Sequence, residues 1–239
     1  MSCFGNDAWL GGDWVGMGRG TIAEASLCRQ PSVAHLRTGQ DRSAMVLRMI
    51  ADLSLRLAGF KFEGEPPSAK KCVVLAWPHT SNWDGLLLVL LTRSIGLDIS
   101  WMIKSDWVKG PMAPILRSVG AVAIDRSAPR NMVEQMIERF RASERLALVV
   151  PPEGTRKRMP HWRSGFYHIA LGAKVPVVPG YLDYQRKCGG FGPPIHLSGN
   201  MRADMDQIRA YYASKKPQGC VPEFVGPIAL SGEAERETS

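Results

Sequence analysis

A single α/β domain is the fold this sequence predicts, with a mixed, mostly parallel sheet covered by helices and an amphipathic helix preceding it. Three observations predict it. The chain has 239 residues, 45% hydrophobic and 22% charged, which is enough to bury the core of one domain. Apolar runs of strand length at 72–77, 99–103, 121–124, 146–150 and 175–178 alternate with helical segments, the pattern of a sheet with helices on both faces. Ahead of them, residues 45–60 repeat apolar side chains at helical spacing.

Taken in order, residues 1–44 are rich in Gly, Ser and Arg without a sustained period and read as a poorly ordered extension. Its Gly16-x-Gly18-x-Gly20 run follows no strand, so it is set aside as a nucleotide site. In 45–60, Val46, Met49, Ile50, Leu53 and Leu57 form a stripe, with Arg48, Asp52 and Arg56 on the other side. Such a helix either packs on its own domain or lies in a membrane interface. The domain proper spans 45–225, and 226–239 reads as a flexible tail. Pro78 stops the strand at 72–77, and Ser81 or Asn82 can cap a helix running through Leu86 to Ser94. Residues 107–119 mix apolar and basic side chains around Pro111 and Pro114. Trp77, Trp83, Trp101 and Trp107 suit either a core or a membrane interface. Met132, Met136 and Phe140 carry the stripe of a helix over 129–143, and 165–171 is a further helix. Beyond Asp183 only 205–214 reads as helical.

A formal charge of +8 favours an anionic partner: a phosphorylated substrate, acidic lipid headgroups or nucleic acid. No basic run or binding motif supports nucleic acid. The five cysteines are scattered, without a CxxC pair or zinc spacing, and read as reduced cytosolic thiols. No apolar stretch reaches the roughly 18 to 20 residues of a membrane-spanning helix. No signal-peptide pattern opens the chain. The expected location is therefore cytoplasmic.

Chemistry concentrates in Trp77-Pro-His-Thr-Ser-Asn-Trp-Asp84. Within one helix His79 and Asp84 would diverge by about 140°. With His79 in the turn and Asp84 in the helix's first turn, the carboxylate can fold back to the imidazole and face the positive end of the helix dipole. Alone, the pair reads as catalytic or as a helix cap beside a loop histidine. Lys104, Arg126 and Glu153-Gly154-Thr155-Arg156 also sit at strand ends, where their cations can converge. A metal site from His79, Asp84, His161 and His168 finds no zincin spacing, and no metal is expected.

His79-x4-Asp84, Gly120-Ala-Val-Ala-Ile-Asp-Arg126, Pro152-Glu-Gly-Thr-Arg156 and Val175-Pro-Val-Val-Pro179 resemble, in order, the four motifs of the glycerolipid acyltransferase family. The resemblance covers roughly residues 45–185. It implies an O-acyltransferase that moves an acyl group from acyl-CoA or acyl-carrier protein, as co-substrate and without a cofactor, to a lysophospholipid. The implied acceptor is 1-acyl-sn-glycerol-3-phosphate, giving phosphatidic acid. His79 is then the general base and Asp84 its orienter, with no Gly-x-Ser-x-Gly nucleophile in the chain. Lys104, Arg126, Glu153, Gly154, Thr155 and Arg156 are the implied substrate-binding residues, the last four for the acceptor phosphate. Arg126 otherwise forms a surface ion pair with Asp125 or another acid, and Val175 to Pro179 shapes the acyl pocket or the sheet. The centre of the first motif departs from that of phosphatidate-forming members, with Trp83 beside Asp84, which leaves another lipid acceptor (a lyso-aminolipid or glycolipid) open. The implied setting is peripheral, on the inner face of the cell membrane, bound to its anionic surface through residues 45–60 and the Trp107 region. A non-catalytic membrane-binding protein is the reading from another class.

Overall fold

The computed structural model describes residues 34–104, 110–124 and 129–231, and side chains within these except those of 34–43, 104, 124 and 129–131. Its elements are α1 (Ala34–Ala58), β1 (Lys61–Glu63), β2 (Lys71–Ala76), α2 (Trp83–Ser94), β3 (Ile99–Lys104), α3 (Ala113–Ser118), β4 (Ala121–Ile124), α4 (Pro129–Ala142), β5 (Leu146–Val150), α5 (Gly165–Ala173), β6 (Val177–Asp183), β7 (Cys188–Phe191) and α6 (Met201–Lys215).

Seven strands form one sheet in the order β1-β7-β6-β2-β5-β3-β4. Every neighbouring pair is parallel except β6 with β7. This is the expected mixed, mostly parallel sheet. β2 lies centrally because both its faces are apolar: Val73 and Leu75 join the larger core with α4, α5 and α6, while Cys72 and Val74 face the side of α2. A strand buried on both faces needs a continuous hydrophobic run, and Cys-Val-Val-Leu supplies it.

The structure departs from the sequence reading in three places. α1 begins at Ala34 rather than Met45, so 34–44 is helix and not extension. Its expected stripe is also not packed: Val46, Met49, Ile50, Leu53 and Leu57 are all exposed, and the buried residues are Ala51 and Leu55, roughly opposite on the helix. Residues 226–231 are not a tail. Leu230 is buried and bridges to Trp162, and the Trp162 amide donates to the Ala229 carbonyl. The apolar Ile228-Ala229-Leu230 was hidden in a polar end; residues 232–239 lie outside the described residues.

β1 and β7 also went unread, being short and, in Cys-Gly-Gly-Phe, without alternation. The glycines are needed there, since a side chain on Gly190 would collide with the Glu63 carbonyl of β1. Of the tryptophans, Trp77 is core, Trp101 donates to the Val119 carbonyl at 2.9 Å and Trp83 is 63% exposed; Trp107 lies outside the described residues.

Candidate active site

Parallel strands carry their C-terminal loops to one edge of the sheet. β2 and β5 are immediate neighbours, with Leu75 opposite Val150, so the His79 turn and the Glu153 turn emerge side by side. β3 and β4 end at the same edge. Lys104 closes β3 there, but its side chain is outside the described residues, as is Arg126 entirely.

The dyad forms as the turn geometry suggested. His79 Nδ1 lies 3.1 Å from Asp84 Oδ2. The same oxygen accepts the amides of Thr80 at 2.7 Å and Ser81 at 2.9 Å. Asp84, not Ser81 or Asn82, thus takes up the turn's amides; Asn82 makes no side-chain cap, and Ser81 Oγ accepts the Trp83 amide at 3.2 Å. The other oxygen, Oδ1, accepts the hydroxyl of Tyr184 at 2.6 Å. Burial pushes the Asp84 carboxyl up, but His79, Tyr184 and the two amides outweigh it and hold it below its ordinary value. An ionised carboxylate only accepts, so Nδ1 carries the hydrogen and Nε2 is left as the ring's basic nitrogen. The His79 side chain is 24% exposed, enough for a substrate to reach it.

Across the turn, Glu153 corrects an expectation. It is fully buried behind the His79 loop, where Oε2 accepts the His79 amide and Oε1 the Gly226 amide, each at 3.4 Å. Burial raises its carboxyl above the ordinary value despite those two donors. A fully buried acid behind the loop is out of reach of a phosphate; Glu153 braces the His79 turn from behind. Gly154 is not a phosphate ligand either, because its amide is spent on the Pro151 carbonyl at 3.1 Å. Its φ of +66° is the reason for glycine, and a Cβ there would also press on Arg163 at 2.9 Å.

Thr155 and Arg156 do face the dyad's turn. A cavity of about 360 Å³ lies between Thr80, Ser81 and Asn82 on one side and Thr155, Arg156 and Lys157 on the other, with Phe224 beside them. Arg156 Nη1 donates to Asn82 Oδ1, tying the two turns together. Lys157 directly follows the Glu-Gly-Thr-Arg turn in the chain, so its place beside Arg156 was within reach of the sequence. Phe224 and Tyr184 were not, since nothing local marks them. The segment carrying Phe224 is held over the turn by the Val221 amide on Thr80 Oγ1 at 3.2 Å. Val177 and Val178 lie in the sheet's two cores, which gives the fourth motif its structural reading.

Fold and site together define an α/β protein with a histidine–carboxylate pair and a cationic cavity beside the His79 turn. The Acyltransferase family profile matches residues 59–183, over half of the chain, and the chain belongs to that family. It is 38% identical over 125 residues to the 1-acyl-sn-glycerol-3-phosphate acyltransferase of Limnanthes douglasii, a match covering 50% of this chain and 43% of that one. Its counterpart from Limnanthes alba is 38% identical over 139 residues, 55% of this chain and 48% of that one. The chain therefore spans about half the length of the curated relatives it matches. In fold it resembles the 1-acyl-sn-glycerophosphate acyltransferase PlsC of Thermotoga maritima, with a TM-score of 0.55 at 16% identity over 82% of this chain and 86% of that one.

Proposed function

We propose that this protein transfers a fatty acyl group from an acyl thioester, on CoA or acyl-carrier protein, to the free hydroxyl of 1-acyl-sn-glycerol-3-phosphate. The observation that carries the reading is the ionised Asp84 holding His79 beside a cavity that Arg156 and Lys157 make cationic. Nε2 takes the hydroxyl proton as the acceptor oxygen attacks the thioester carbonyl. The tetrahedral intermediate then collapses with loss of thiolate, which recovers the proton from the imidazolium. Asp84 stabilises that imidazolium, and binding the acceptor phosphate at Arg156 supplies the orientation that makes attack intramolecular in effect.

The lipid substrate fits the surface. No helix among the described residues is long and apolar enough to cross a membrane. α1 instead exposes Met45, Val46, Met49, Ile50, Leu53 and Leu57, and α2 adds Trp83 and Leu86 at its start, beside Asp84. An exposed apolar helix face on a chain of net charge +8 suits peripheral docking on an anionic bilayer.

The test is one labelled acyl-CoA offered with a panel of lysolipids. Product from lysophosphatidic acid alone is the expected result, and acylation of an uncharged lysolipid in its place would sink the acceptor assignment. His79→Ala should lower turnover at least about a hundredfold with the fold intact; near-normal turnover would remove His79 as the base. Arg156→Ala should raise KM for the lysolipid and leave KM for the acyl donor unchanged.

A further inference from the structure

Asp84 has a partner that no motif of the sequence contains. Tyr184 stands directly after β6, one hundred positions along the chain, and its hydroxyl donates to Asp84 Oδ1 at 2.6 Å. The carboxylate is therefore held at both oxygens, with His79 and the amides of Thr80 and Ser81 on Oδ2 and, among the described residues, Tyr184 alone on Oδ1. Tyr184 is itself braced. The Phe60 ring meets it edge-on at 5.6 Å and 81°, its amide donates to the Gln218 carbonyl at 2.9 Å, and it packs on the cluster of Leu55, Leu87, Leu91 and Leu182. Just before it, the Asp183 carboxylate accepts the Arg186 amide and guanidinium at 2.8 Å each, fixing the strand end.

We propose that Tyr184 is a positioning residue of the proton relay: its hydroxyl locks Asp84 against rotation, so that Oδ2 stays on His79, and withdraws part of the carboxylate's charge from the imidazole. The proposal rests on the reading of His79 as the general base. A carboxylate whose second oxygen has lost its donor can swing about its terminal torsion, which has broad and shallow wells. A charged acceptor stripped of one donor also keeps more of its charge for the remaining partner, so it holds a proton on the neighbouring imidazole more strongly. Both consequences fall on the base rather than on substrate binding. The titratable groups facing the pair are Tyr184 and Cys220 from the C-terminal side and Glu153 behind the His79 loop; Tyr184→Phe leaves the other two in place.

The experiment compares full-length wild type, Tyr184→Phe and His79→Ala. Tyr184→Phe is expected to lower kcat about tenfold, the size of one hydrogen bond to a charged group, with KM for both substrates unchanged. The acid limb of its kcat profile should move to higher pH. In the substrate-free protein the His79 ring resonances should titrate at correspondingly higher pH than in wild type, a readout independent of turnover. A Tyr184→Phe enzyme with wild-type kcat, or one whose kcat falls while neither the limb nor the resonances move, overturns the positioning role. Undiminished turnover in His79→Ala overturns the reading beneath it instead. An inactive His79→Ala beside an unaltered Tyr184→Phe removes Tyr184 alone.

Discussion

α4 and α1 carry the same kind of apolar stripe and meet opposite fates. In α4, Met136 and Phe140 are buried to 2% and 1% exposure in the main core and Met132 packs beside them. In α1, Leu53 and Leu57 are 59% and 81% exposed, and the helix rests on α2's side of the sheet through Ala51 and Leu55. Periodicity announces that a stripe exists; it does not say whether the rest of the protein covers it. The difference lies in the far side of each helix. Among its described residues α4 turns mainly charged side chains such as Glu134, Glu138 and Arg141 outward, whereas α1 has small Ala51 with Leu55 to pack inward, freeing its large apolar residues.

The sharpest way to break this contrast is Phe140→Ala. It should cost about 3–5 kcal/mol of unfolding free energy, measured by denaturant titration, because the cavity left in a two-sided core cannot collapse. The same loss of apolar surface on α1 should not touch the fold. Met49→Glu with Leu53→Glu is expected to leave the unfolding free energy within about 0.5 kcal/mol while lowering affinity for anionic vesicles at least about tenfold in cosedimentation. A variant that unfolds instead would mean that α1's stripe is covered by the protein itself.

Smaller still is the contrast between the two buried carboxylates flanking His79. Asp84 is held below its ordinary value of 3.8, so its contribution to stability is present above that value and lost as pH falls through the lower folded one. Glu153 is raised above its ordinary 4.5, so its contribution is present below 4.5 and lost as pH rises through the folded value. Thermal melts should show wild type losing stability relative to Glu153→Gln as pH climbs from 4.5, and gaining relative to Asp84→Asn as pH climbs through 3.8. Parallel slopes for the two would mean that both carboxylates sit in the same environment.

Much of the site was readable before the fold was known, since its strand-turn-helix is local. Pro78 ends β2, Asp84 is five residues past His79, and a carboxylate in a helix's first turn has the turn's free amides to accept. Less readable were the roles within Glu153-Gly154-Thr155-Arg156. Four adjacent residues divide between a buried brace, a turn glycine and two cavity residues, and which way each faces depends on the path of residues 216–231 over them. That segment has little helical or strand period to announce where it goes.

By itself, then, the sequence determined the βα alternation, the core strands and the His79–Asp84 pair, because each rests on hydrophobic period or on contacts within a few residues, while the resemblance of its four motifs pointed to the family. Tertiary structure decided the outward face of α1, the burial of Glu153 and the bond from Tyr184 to Asp84. The last two depend on chain segments 74 to 100 positions apart meeting at one sheet edge, and the first on Leu55 of α1 packing with Leu87, Leu91 and Leu182; such meetings are set by how the layers pack rather than by any local pattern of residues.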